Sequence, residues 1–144
     1  MKKISSFIGL IVCMLVLTSA SCKHDDNSSV TPSTTSGIST TTPGTGWKLT
    51  LLSENSDNKT SHFNGCIFDF AASGTMTVAG NLSATGTWRQ YQDDGVTKFE
   101  INLSTTDKDM AELNDDWVLV SKSETFISLK DDNSSKNEVL QFSK

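Results

Sequence analysis

The stretch CIFDFAASGTMTVAG, residues 66–80, sets Cys66, Phe68 and Phe70 on alternate positions, turns at Ala72-Ser73-Gly74, and resumes the alternation with Met76 and Val78. A period of two marks a strand with one buried face, and so short a glycine-containing turn joins two such strands as an antiparallel hairpin. The same period extends outward in both directions, to Trp47, Leu49 and Leu51 in WKLTL and to Phe99, Ile101 and Leu103 in KFEINL. Further strands are predicted at 84–91, 116–121, 125–130 and 137–143, rich in the Thr, Val, Trp and Phe that suit a pleated surface.

Turn signals separate these runs at Ala79-Gly80-Asn81, Asp93-Asp94-Gly95, Lys122-Ser123-Glu124 and Asp131-Asp132-Asn133-Ser134. Parallel neighbours need crossovers of roughly a dozen residues or more, so these short connections predict an all-β antiparallel meander of about eight strands. One interruption, TTDKDMAELNDD at 105–116, predicts a brief helix: Thr106 as N-cap, Asp107 and Asp109 in the first turn, Met110 and Leu113 on one side. Closing the meander into a small barrel removes its exposed edges; a β-sandwich is the alternative. The candidate barrel interior is Trp47, Leu49, Leu51, Cys66, Phe68, Phe70, Met76, Val78, Trp88, Phe99, Ile101, Leu103 and Trp117. These side chains either fill the core or line a small cavity, and strands of six to eight residues favour filling.

Residues 47–144 form this one folding unit, and what precedes it has a different character. Residues 1–21 carry Lys2 and Lys3, an apolar run at 7–17 and the small residues Thr18-Ser19-Ala20-Ser21, the layout of a secretory signal peptide. The apolar run is too short for a lasting membrane span, which takes roughly 20 residues. Residues 22–46 begin at Cys22 and continue as a Ser/Thr-rich segment with Pro32 and Pro43, predicted to be a disordered tether. About 24 flexible residues span roughly 27 Å.

Leu17-Thr18-Ser19-Ala20-Ser21-Cys22 resembles a bacterial lipobox, with Ser19 where that motif usually has leucine. The resemblance implies that Cys22 is lipidated and becomes the mature N-terminus; ordinary cleavage before Ser21 is the other route. Lys23, Asp25 and Asp26 resemble the export signal of Bacteroidota-type surface lipoproteins, implying an outer-membrane, cell-surface location, with the periplasmic leaflet or secretion as alternatives. Gly46-Trp47, FDFAASGTMTV, TGTW, TKFEINL and ELNDDWVLVSKSETFISL are similar to the small lipocalin-like domains of such lipoproteins. That likeness covers 46–144 and implies a barrel rather than a particular activity.

Composition narrows the function classes. The net charge is −5, becoming −7 once Lys2 and Lys3 leave with the signal, and Arg89 is the only arginine. Nucleic-acid binding is disfavoured, because it relies on clustered Lys and Arg against phosphates. Cys13 departs with the signal and Cys22 takes lipid, so Cys66 has no disulfide partner. His62 is the only histidine after the tether, which leaves no two-histidine metal site, and no glycine-rich phosphate loop appears. The expectation is a non-catalytic protein without a cofactor, held to the membrane by its lipid. It either binds a small apolar or amphipathic ligand in the barrel or works through its outer surface around a filled core. Two weak metal readings accompany it: His62 with Cys66, and a calcium site from Asp131, Asp132, Asn133 and Glu138.

Overall fold

The computed structural model describes residues 41–144; the expected signal segment, Cys22, Lys23, Asp25, Asp26 and the expected tether up to residue 40 lie outside the described residues. The strands are β1 (Gly44–Glu54), β2 (Asp57–Asn58), β3 (Ile67–Phe70), β4 (Thr75–Ala79), β5 (Ala84–Asp93), β6 (Val96–Ser104), β7 (Asp115–Lys122), β8 (Phe126–Lys130) and β9 (Val139–Ser143). A 3-10 turn covers Thr60–Phe63, and a single-turn helix, α1, covers Lys108–Ala111. Chain neighbours from β3 to β9 pair antiparallel in order, and β1 pairs with both β3 and β9, closing an eight-stranded barrel. The two-residue β2 lies outside it, paired only to the end of β1.

Closure depends on how β1 divides its length. Its first half pairs with β3 through Gly44–Phe70 and Trp47–Phe68, while residues 48–53 pair with 143–139 of β9. The register slips by one residue between Leu49 and Leu51, which is a β-bulge around Thr50. The bulge reverses the parity of the strand beyond it. Leu51 therefore stands opposite the outward Gln141 and is only half-buried, whereas Leu52 faces Leu140 and is buried. The interior position expected of Leu51 belongs to Leu52. β1 also begins at Gly44, ahead of the expected start at Trp47.

The inward side chains form one continuous aromatic core. Phe70 meets Trp88, Phe99 and Phe142 edge to face, with ring centres 5.7, 5.6 and 5.5 Å away, and Phe68 meets Phe142 at 5.2 Å. Trp88 stacks on Phe99 at 5.3 Å. Such geometries add to the apolar burial because each ring edge meets a neighbouring face. One position has no room for a side chain. A Cβ on Gly86 would lie 2.0 Å from the Asn102 carbonyl oxygen, so glycine permits β5 and β6 to approach closely there.

The two ends of the barrel differ. At the turn end lie three tight connections (71–74, 94–95 and 123–125) together with the start of β1 and the C-terminal residue Lys144. At the capped end lie the 3-10 turn, α1, the short connection 80–83 and the longer connections 105–114 and 131–138. Phe63, Met110 and Leu113, all buried, belong to these capping segments and join the core. The helix expected between 105 and 116 is present but starts later: Asp107, in extended backbone, accepts a bond from the Met110 amide at 2.8 Å and is the N-cap in place of Thr106.

The bulge makes adjacent leucines unequal. Leu52→Ala should cost about 2–5 kcal/mol in urea unfolding, as expected for a buried leucine, and Leu51→Ala less than about 1 kcal/mol. Equal losses in the two variants would contradict the parity assigned here.

Candidate functional site

The barrel interior is the first place to look for a ligand. Trp47, Leu49, Cys66, Phe68, Phe70, Met76, Val78, Trp88, Phe99, Ile101, Leu103 and Trp117 are all buried there or against it. They are joined by Leu52, Leu119, Ile127, Leu129, Leu140 and Phe142. Most of these additional residues carried the same period-two signal within their strands; Leu52 did not. All three indoles have their N–H satisfied by backbone: Trp47 Nε1 donates to Pro43 O at 3.0 Å, Trp88 to Ala71 O at 2.9 Å and Trp117 to Leu113 O at 3.0 Å. Each indole thereby pins a segment at a barrel end: the incoming chain, the β3–β4 turn and the cap after α1. The interior is occupied by these rings and aliphatic side chains, consistent with the small bore of an eight-stranded barrel.

Polar chemistry is concentrated at the capped end. Lys59 reaches Glu112 through both carboxylate oxygens at 2.7 Å and Glu54 at 3.2 Å, tying the 3-10 segment to the residue after α1. The Glu112 hydrogen bonds raise its pKa above the ordinary lysine value. His62 turns Nε2 to Asp107 at 3.0 Å and Nδ1 to Asp109 at 3.3 Å, while Cys66 is buried in the core. The His62 ring is thus engaged with α1 rather than assembled with Cys66 into a metal site. Asp107 is held below the usual carboxylate range, first by the Met110 amide and then by His62.

Two Asp-Asp pairs dominate the far side of this end. Neighbouring residues in a strand point to opposite sides, which separates Asp115 from Asp116 in β7. The chain bends at Asp132 just past β8, so Asp131-Asp132 also divides and two carboxylate sets result. Asp116 and Asp132 take the buried ammonium of Lys98, at 3.3 and 2.8 Å, and the Asp116 carbonyl takes it at 3.1 Å. Three acceptors match the three donors of the ammonium. The Asp132 hydrogen bond leads in raising the Lys98 pKa against the opposing effect of burial.

Asp115, Asp131 and Glu138 form the other set, with ligand oxygens all within 4.8 Å of one another. Among the described residues, this is the group of three His, Cys, Asp or Glu side chains that converges in this way. Of the residues expected to form a calcium site, Asp131 and Glu138 come together. Asp132 instead binds Lys98, and Asn133 Oδ1 accepts from the Ser135 amide at 3.1 Å. Asp115 was missed, because only pairing of β7 beside β8 brings it to the loop between β8 and β9. Lys136 stands over the three carboxylates, 3.0 Å from Asp131, 3.7 Å from Glu138 and 4.0 Å from Asp115.

Burial, followed by hydrogen bonding with Asp131, pushes Glu138 from 4.5 up to about 7. Burial also raises Asp115. On Asp131 burial acts upward too, but Glu138, the Asn133 amide and Lys136 together outweigh it and hold the group low. An acid whose pKa is higher folded than unfolded binds its proton more tightly in the native state. Its contribution to stability is therefore full below about 4.5 and is lost as pH rises through about 7.

In chelator-treated protein, stability should fall between pH 5 and pH 8 by on the order of 2 kcal/mol from this group. Glu138→Gln should flatten most of that slope, measured by urea unfolding at each pH; an unchanged slope would assign the proton elsewhere. Comparison with known proteins adds no relative: no protein-family model, curated protein or solved structure matches this chain.

Proposed function

We propose that the chain is a bacterial surface lipoprotein, lipidated at Cys22, whose barrel is a rigid, non-catalytic interaction module presenting its capped end away from the membrane. The observation that carries this reading is the polarity of the barrel. Residues 41–44 enter at the turn end, where the Thr41 carbonyl accepts from Lys122 Nζ and the Pro43 carbonyl accepts from Trp47 Nε1 and from Lys144 Nζ, the latter two at 3.0 Å. The longer connections and the clusters around Lys59, His62, Lys98 and Lys136 all lie at the opposite end. A tether followed by a filled barrel makes a pedestal, with its chemically varied surface farthest from the attachment point.

Among the described residues, the exposed large apolar side chains are Val96, Val120 and Phe126, spread over β6, β7 and β8. The recognition surface is accordingly the polar capped end, suited to a partner that meets carboxylates and their bound lysines. Stable anchoring needs more than one acyl chain, and a triacylated Cys22 supplies three. Lys23, Asp25 and Asp26 supply the outward address.

The closed eight-stranded barrel favours a second reading, in which a small apolar or amphipathic molecule binds inside. That molecule would have to displace the rings around Phe70. Full-length protein labelled with radioactive palmitate, compared with Cys22→Ala, tests the anchor; added protease on intact cells tests its outward exposure. We expect label and membrane partition to be lost in Cys22→Ala, and surface shaving to release the barrel. Retained label would overturn the anchor, and protection from protease would move the protein to the inner leaflet. Native mass spectrometry of membrane-derived protein should show the mass of the lipidated chain alone. A stoichiometric extra mass that leaves on unfolding would replace the pedestal with the enclosed-ligand reading.

A further inference from the structure

The geometry at the capped end points to a further site: we propose that Asp115, Asp131 and Glu138 bind a hard divalent cation, with calcium as the preferred ion. Strand register converges them. The β8–β9 ladder ends at Lys130–Val139 and continues one step through Asp131 N to Glu138 O at 3.1 Å, setting Asp131 and Glu138 side by side. β7 flanks β8 and contributes Asp115 from its first position.

Calcium–oxygen distances of about 2.3–2.6 Å place two ligands of one ion up to roughly 5 Å apart, so oxygens within 4.8 Å of one another can share an ion. A second observation concerns Asp131, whose side chain is only 3% exposed. Its Oδ1 accepts from the Asn133 amide at 2.7 Å, but its Oδ2 is buried with no hydrogen-bond donor aligned on it. Lys136 Nζ stands 3.0 Å from that oxygen as an ion pair, on a side chain that is 46% exposed. One half-exposed ammonium thus faces three carboxylates, an incomplete neutralisation of a buried oxygen.

A cation entering this set lets Lys136 swing out into solvent. An all-oxygen ligand set selects calcium or magnesium over zinc. Magnesium keeps several waters and usually takes one or two carboxylates, whereas calcium accepts three together with water in a less regular shell. Room for water exists in a groove of about 270 Å³ over residues 130–134 and 137–139. Extracellular calcium sites of this kind bind at roughly 0.1–1 mM.

The site does not depend on where the chain is anchored, so it can be tested apart from that reading. Chelator-treated full-length protein would be titrated with calcium chloride by calorimetry, with thermal unfolding in parallel. The expected result is saturable binding near roughly 0.1–1 mM and weaker binding of magnesium. Asp115→Asn should weaken binding at least tenfold. Lys136→Met should tighten it severalfold by removing the competing ammonium, and this arm remains informative if Asp115→Asn fails to fold. No saturable binding in either wild type or Lys136→Met would overturn the site. Equal binding by wild type, Lys136→Met and a folded Asp115→Asn would assign the ion to diffuse negative charge and overturn it as well.

Discussion

Everything in this barrel follows from β1 serving two partners. An antiparallel meander of hairpins is by itself an open sheet with two exposed edges, and β1 covers both by pairing with β3 over its first half and β9 over its second. The bulge around Thr50 allows one strand to bend far enough for this, and bulges locally increase strand twist. With the ring closed, inward side chains from all eight strands face one another, so the aromatic cluster around Phe70 follows from closure. Gly86 serves the same constraint from the other side of the barrel, leaving β6 space to come close.

Closure also separates tasks between the two ends. At the turn end the connections are too short to carry a surface of their own. At the capped end every connection except 80–83 is longer, and there the acidic excess of the chain is organised around individual lysines. Lys98 is almost fully removed from water yet has three acceptors, whereas Lys136 is half-exposed and shared among three carboxylates. A buried ammonium with every donor matched is stable in place. An exposed ammonium facing several carboxylates is readily exchanged for other positive charge, so these neighbouring clusters have different uses.

Much of the barrel was legible because each hairpin is local: a period of two, a turn residue, then a period of two again. The closing pair was not, since Thr50 and Gln141 are 91 residues apart and nothing local to either names the other. The slip at Leu51 was hidden by the sequence itself, for LTLLS offers two consecutive leucines and only the partner strand decides which faces inward. Thr105, Thr106 and Asp107 are all plausible helix caps by residue type; the Met110 amide selects Asp107 while Thr105 Oγ1 accepts from the Asp107 amide. At the carboxylate cluster, Asp131 and Glu138 shared a loop and could be grouped from sequence. Asp132 looked equivalent to Asp131, but the chain bends there, just past β8, and the Asp132 carboxylate goes to Lys98 instead.

The latch at Pro43 has a mechanical consequence. Its carbonyl is gripped by both Trp47 and Lys144, directly ahead of the strand that closes the ring. When the capped end is held and the chain is pulled from residue 41, tension runs along the length of β1, and the backbone bonds to β3 and β9 share the force in shear. Traction applied instead through Lys144, which leaves at the same end, loads β9 in shear as well, but over 5 residues rather than the 11 of β1, so the same small globule resists a pull on its N-terminal side better than one on its tail.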